Sequence, residues 1–306
     1  MPGAPDLSVR IGGLRLENPV MPASGTFGYG EEYAPFLDLN RLGAVVVKTL
    51  TPRPRLGSPP HRSTEVPSGM LASIGLQNVG VDAFVRDKLP FLEGLDTRLI
   101  VSIGGETVDE YRQVADRLER EDRVDAMEVN VSCPNVERGG MHFGAEPFLV
   151  ESLVGQLRDR TRKPLVVKLA PLAADIRAVA EAAQRAGADA VSLINGPPGM
   201  AVDVRTGRSR LGANRSGGLA GPAIRPLALH LVDQVVRAVD IPVVGIGGIS
   251  SAEDALEFLI VGATAVQVGT WNFVNPRITL DVVEGLETFL REQGHATVRA
   301  VIGSLR

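Results

Sequence analysis

A closed α/β barrel of eight parallel strands, the (β/α)8 or TIM-barrel class, is the fold this sequence predicts, and three observations predict it. Eight short apolar runs recur along the 306 residues: PVMPAS, GAVVVKT, TRLIVSIGG, VDAMEVNVS, KPLVVKLAP, ADAVSLING, IPVVGIGG and ATAVQVGT. Several are separated by segments of helical length with an apolar spacing near 3.6 residues. Polar residues and glycines suited to ligand binding collect where the runs end, and a barrel brings those ends to one face. The length alone would also suit two smaller domains. Repetition of strand, helix, strand instead favours a single barrel domain over residues 1–306.

Taken in order, LSVRIGGLRLENP reads as a hairpin turning at Gly12 and Gly13, expected to close the end of the barrel opposite the site. The eight runs are nearly continuous in apolar residues, as strands covered on both faces are. ETVDEYRQVADRLER and EPFLVESLVGQLRDR follow the third and fourth runs, and DIRAVAEAAQRAG follows the fifth. PAIRPLALHLVDQVVRAV precedes the seventh and SAEDALEFLIVG the eighth; each has the apolar stripe of a helix packed on a sheet. Two stretches rich in proline, glycine and polar residues, 50 to 80 and 196 to 222, interrupt the alternation. Structureless connections of that length are uncommon in compact domains, so small strands or a functional lid on the active face are expected.

Composition narrows the function. With 32 Lys plus Arg against 36 Asp plus Glu the formal charge is −4, which offers no broad basic surface for nucleic acid. The single cysteine, Cys133, excludes an intrachain disulfide and a four-cysteine iron-sulfur or zinc site built by this chain. His61, His142, His230 and His295 have no metal-ligand spacing, so no metal site is expected. No run approaches the roughly 20 apolar residues of a membrane span and the opening residues lack a signal-peptide core, so a cytoplasmic protein without membrane contact is expected.

Motifs at the run ends suggest chemistry. GIGGIS places Gly247 and Gly248 between a strand and a helix, and GTWNF places Gly269 and Thr270 after the next strand. Adjacent peptide N–H groups there suit phosphate oxygens, although sharp barrel turns would call for the same glycines. GIGG lacks the GxGxxG placement of a dinucleotide site and points to a mononucleotide or phosphosugar. Lys48 and Lys168 each end an apolar run, so their stems can lie on the barrel wall with the ammonium groups in its mouth; the alternative is an ordinary exposed lysine. A cation there would stabilise an anionic substrate or charge developing on a reduced cofactor. Asn78, Asn130, Asn135 and Asn195 add donors and acceptors suited to a polar ring, though any one of them could instead secure a turn.

The ordered set NPVMPASGTFGYG, VVVKT, GLQN, VNVSCPNVERGG, VVKLAP, LIN, GGLAGPAI, GIGGI and AVQVGT closely resembles the class 1 dihydroorotate dehydrogenases, and most closely their class 1B catalytic subunit, over nearly the whole chain. The resemblance implies an FMN-containing barrel in which Cys133 is the base that takes the C5 proton of dihydroorotate while FMN accepts hydride from C6. It places Lys168 at the flavin N1 and O2 edge, Lys48 at the substrate carboxylate and neighbouring flavin, and Ala23, Ser24 and Gly25 along the cofactor. Asn130 would serve both flavin and substrate, with Asn135 and Asn195 on the substrate ring. The phosphate would rest against Gly247, Gly248, Gly269 and Thr270, with Gly221 near the cofactor pocket. It further implies a separate FAD and iron-sulfur subunit that passes electrons to NAD, in an assembly built on a homodimer of this chain.

Two residues depart from the family pattern. Ala72 follows GML where an asparagine is common, and Gly196 follows LIN where Thr or Ser is common. Each shortened residue is expected to remove a substrate hydrogen bond, costing about 1.5 to 3 kcal/mol for a charged partner, and to leave more room. Trp271 also stands where a small residue is more familiar. A flavin oxidoreductase for another dihydropyrimidine or cyclic amide is therefore the alternative reading, followed by a phosphate-binding isomerase or lyase.

Overall fold

The computed structural model describes residues 4–131, 143–171 and 173–306. Each apolar run delivers one parallel strand: β1 (Val20–Pro22), β2 (Ala44–Leu50), β3 (Arg98–Ile103), β4 (Ala126–Asn130), β5 (Leu165–Lys168), β6 (Ala190–Leu193), β7 (Val243–Ile246) and β8 (Ala265–Val268). They hydrogen-bond in the order β1-β8-β7-β6-β5-β4-β3-β2, the ring sequence of a TIM barrel. The seam between β1 and β2 is drawn together by the Gly43 N–H, which donates to the Val20 carbonyl at 2.9 Å. Only glycine fits there, because a Cβ on Gly43 would stand 2.1 Å from the Asn18 carbonyl oxygen. Val45, Val46, Val47, Val101, Val129, Val167, Val191 and Val266 are fully or almost fully buried, which accounts for runs without polar alternation.

The helices expected from periodicity are α3 (Val108–Glu119), α4 (Pro147–Arg158), α5 (Ile176–Arg185), α6 (Arg225–Val236) and α7 (Ala252–Val261), preceded by α1 (Val81–Asp87) and α2 (Leu89–Glu93) and followed by α8 (Ile278–Glu292). Thr107, Asp175 and Ser251 cap α3, α5 and α7 by accepting from the N–H groups of Glu110, Arg177 and Asp254. Between β1 and β2 the described chain forms only the 3-10 turn Leu39–Arg41, after a Gly- and Pro-interrupted stretch that cannot sustain a helix. Among the described residues no helix is long and apolar enough to cross a membrane.

The expected N-terminal hairpin pairs Val9–Ile11 with Leu14–Leu16. Gly12 packs on Asp189, at the entry to β6, and the Arg15 carbonyl accepts from Arg98 Nε at the start of β3. Both contacts lie at N-terminal strand ends, so the hairpin covers the barrel end opposite the strand C-termini. The two long insertions do form small strands, and they pair with one another. Pro198–Gly199, Gly217–Ala220, Gly69–Ala72 and Ser63–Val66 make one antiparallel sheet in that order. Glycines permit the close approach: a Cβ on Gly69 would meet the Ala220 carbonyl oxygen at 2.2 Å, and one on Gly217 the Ala72 carbonyl oxygen at 2.8 Å.

Candidate active site

The C-terminal strand ends and the insertion sheet enclose a cavity of about 1440 Å³. Ser24, Gly25, Lys48, Asn130, Lys168, Asn195 and Thr270 all line it, so residues spread over nearly 250 positions meet in one wall, as the barrel topology requires. Ala23, Gly221 and Gly269 are not in the wall but adjoin the lining residues Ser24, Ala220 and Thr270 in the chain. Gly247 and Gly248 are likewise not in the wall. Their φ angles of 132° and 77° demand glycine, and Cβ atoms on them would press on Ala228 and Arg225 of α6 at 2.9 and 2.6 Å. These two glycines thus form a tight turn against a helix. Cys133 and Asn135 lie outside the described residues.

The two lysines differ in setting. Lys168 ends β5 with a side chain only 7% exposed, which excludes the reading of an ordinary surface lysine. Its Nζ lies 3.5 Å from Glu128 Oε1 and 3.4 Å from Ser24 Oγ. Lys48 is half-buried where the register of β2 against β3 shifts between Val47 and Leu50, and its peptide N–H donates to the Gly28 carbonyl at 2.9 Å. That irregularity brings both Lys48 and its neighbour Thr49 into the cavity wall.

Asn130 and Asn195 are joined through their amides, with Asn195 Nδ2 donating to Asn130 Oδ1 at 3.5 Å. Asn130 Nδ2 reaches Thr49 Oγ1 at 3.4 Å, and the Tyr111 hydroxyl of α3 donates to the Asn130 carbonyl at 2.6 Å. The side-chain contacts are long and weak, whereas the tyrosine bond holds the end of β4 firmly. For Asn78 the structure shows the second of its two readings, a turn. Its Oδ1 accepts from the N–H groups of Thr51 and Gly80, and its Nδ2 donates to Thr51 Oγ1 and the Leu76 carbonyl. The amide secures a turn beside the first insertion and is absent from the cavity wall.

A family model described as dihydroorotate dehydrogenase matches residues 6–290. The chain belongs to the dihydroorotate dehydrogenase family. It is 52% identical over 303 residues, 99% of each chain, to a protein of Geotalea uraniireducens (strain Rf4) named dihydroorotate dehydrogenase B (NAD(+)), catalytic subunit. Proteins of the same name in Trichlorobacter lovleyi and Desulforudis audaxviator are each 53% identical, over 98% and 97% of this chain and 99% and 96% of theirs. Membership makes this chain an oxidoreductase, and the resemblance to the class 1B catalytic subunit agrees with the names of these relatives.

Within the dihydroorotate dehydrogenase barrel the two departures have different causes. Ala72 is half-buried in the cavity wall. Gly196 also lines the cavity, but the space of a side chain there is taken, contrary to expectation: the Leu219 carbonyl oxygen lies 2.7 Å from where its Cβ would stand, with Gly218 at 3.2 Å. The second insertion has filled the place of the missing side chain. Trp271 lies in the cavity wall, half-buried.

Sequence reasoning missed a polar cluster behind the cavity. Glu128 of β4 is completely buried, and Ser24, Ser192, Gln267 and Lys168 all donate to it. Thr49 and Ser102 form a neighbouring hydroxyl pair at 2.9 Å. The signal was present: Glu128 and Gln267 interrupt VDAMEVNVS and ATAVQVGT at positions where a strand buried on both faces tolerates a polar group only if it is satisfied.

Proposed function

We propose that this chain is the FMN-containing catalytic subunit that oxidises dihydroorotate to orotate in pyrimidine biosynthesis. The observation that carries the reading is the convergence of Ser24, Lys48, Asn130, Lys168 and Asn195 on one cavity. The residues present fit the cofactor. A volume of about 1440 Å³ exceeds the roughly 300–1,000 Å³ of ordinary small-molecule pockets, leaving room for a flavin and a substrate together. Gly25 has open space where a Cβ would stand, and among the described residues no hydrogen bond within the protein engages the peptide N–H of Gly269 or Thr270. The single FMN-binding domain spans residues 1–306.

When bound, FMN supplies the acceptor for the hydride leaving substrate C6. Cys133 takes the C5 proton; a free thiol has a pKa of about 8.5, so its surroundings must favour the thiolate. Lys48 answers the substrate carboxylate, and Asn130, Asn135 and Asn195 hold the ring amides. Lys168 would help hold the flavin and supply a positive charge that favours its reduced state. Ala23, Ser24, Gly25 and Gly221 would hold the cofactor, and Gly247, Gly248, Gly269 and Thr270 would receive its phosphate. Electrons leave through a partner subunit carrying FAD and an iron-sulfur cluster, in a cytoplasmic assembly built on a homodimer of this chain.

Cofactor extraction and chromatography test the flavin: FMN is expected in stoichiometric amount, and recovery of no flavin after reconstitution refutes the reading. Anaerobic stopped-flow reduction with dihydroorotate, dihydrouracil and other ring analogues tests the substrate. No reduction by dihydroorotate beside rapid reduction by another ring would reassign the specificity and keep the flavin barrel.

A further inference from the structure

A layer of side chains inside a TIM barrel is ordinarily filled by branched apolar residues from alternate strands. Here Glu128, Ser192 and Gln267, from the alternate strands β4, β6 and β8, are polar and essentially without exposed surface. The two oxygens of Glu128 meet four donors. Oε1 accepts from Ser24 Oγ at 2.9 Å and Lys168 Nζ at 3.5 Å, and Oε2 accepts from Gln267 Nε2 at 2.8 Å and Ser192 Oγ at 3.3 Å. Gln267 makes its bond to Glu128 while its own Oε1, also buried, has no hydrogen-bond partner among the described residues. Stability does not ask for such a layer, since well-packed apolar side chains commonly do as well or better than a buried ion pair. Of the cluster, only Ser24 and Lys168 reach the cavity wall.

We propose that Glu128 is a positioning residue: it holds the Lys168 ammonium at the floor of the cavity, with Ser24 bridging the two and Gln267 and Ser192 fixing the carboxylate from behind. The inference rests on the reading that FMN occupies this cavity beside Lys168. Glu128 is the only anionic partner of Lys168 among the described residues. Without Glu128, Lys168 loses its anchor and withdraws from the floor, and the cavity loses the fixed positive charge that favours reduced flavin. Glu128 itself is out of reach of substrate and acts only through the lysine.

The test compares wild type, Glu128→Gln, Lys168→Met and the double variant as full-length holoenzymes. Two readouts are taken: the midpoint potential of the bound flavin, and the rate of Lys168 acylation by an amine reagent, followed by peptide mass spectrometry. Glu128→Gln is expected to lower the potential by a factor of about ten in the reduced-to-oxidised ratio, ~30 mV for a two-electron couple. Lys168→Met should lower it as well, and the double variant should add nothing to Lys168→Met. Acylation of Lys168 should quicken at least threefold in Glu128→Gln, because the amine is no longer held against the carboxylate. A raised potential would show that Glu128 merely offsets the lysine charge, and additive shifts or unchanged acylation would show that it does not act through Lys168; each overturns the proposal. Should Glu128→Gln fail to fold, Glu128→Asp retracts the carboxylate by one methylene and carries the same signs at about threefold. Acylation needs no flavin, so a wild-type protein that binds none defeats the flavin reading and still lets the acylation comparison decide the role of Glu128.

Discussion

Restoring the residue that the family commonly carries at position 196 is expected to harm this protein. Gly196→Ser would place a Cβ 2.7 Å from the Leu219 carbonyl oxygen and 3.2 Å from Gly218 backbone atoms. Ordinary C···O contacts begin near 3.3 Å, so the backbone must part by roughly 0.6 Å. It is not free to do so. The Leu219 N–H donates to the Pro197 carbonyl at 2.7 Å on one side, and the Gly196 N–H is tied to Asn195 Oδ1 at 3.1 Å on the other. The φ of Gly196 is not in the left-handed region, so the cost comes from space alone. Overpacking of this kind costs about 1–3 kcal/mol. At about 2 °C per kcal/mol for a chain of this size, Tm should fall by about 2–6 °C. Thermal scans with FMN at a fixed saturating concentration keep ligand linkage constant, and steady-state kinetics should show kcat/KM for dihydroorotate falling as Asn195 is displaced. An unchanged Tm together with a higher kcat/KM would refute the argument and show that the Leu219 strand yields easily.

Ala72→Asn makes the opposite case, since position 72 lies in the cavity wall and already carries a Cβ: stability should stay within about 0.5 kcal/mol, while kcat/KM for dihydroorotate should rise by up to about tenfold and that for dihydrouracil should not. Cys133→Ala should keep FMN bound but slow substrate-driven flavin reduction by at least about tenfold, measured in a single turnover; an unchanged rate would remove Cys133 from the chemistry. Gly43→Ala would set a Cβ 2.1 Å from the Asn18 carbonyl at the β1–β2 seam, so its cost should reach about 3 kcal/mol or more, read as lost soluble yield or lowered Tm. The purified single chain should not reduce NAD efficiently with dihydroorotate, because it has one cysteine and no dinucleotide fingerprint; direct turnover with NAD would contradict the electron-transfer partner, and efficient fumarate reduction would favour class 1A.

What could be read from the sequence follows from where each instruction is written. A strand buried on both faces writes itself as a continuous run, and all eight runs became strands; caps such as Thr107 and Ser251 are likewise local and legible. The insertion sheet was not legible as a pairing, because residues 63–72 and 198–220 meet through backbone groups and the absence of side chains at Gly69, Gly196 and Gly217. Glycine records that something comes close without recording what, and for the same reason Gly196 read as vacated space when a carbonyl occupies it. Asn78 and Asn130 look alike in sequence, and only the neighbours decide that one amide is spent on a turn while the other lines the cavity. Lys168 was visible because a charge at the end of a strand invites a question about its use. Glu128, two residues inside its run, drew none, although burial makes its requirement the stricter of the two: a lysine at the mouth can reach water, whereas a carboxylate with no exposed surface must find its donors within the protein. A polar residue inside an unbroken apolar run is thus a sequence-level sign of a partner elsewhere in the chain, and in this barrel following it leads from Glu128 to Ser24 and Lys168, at the floor of the site.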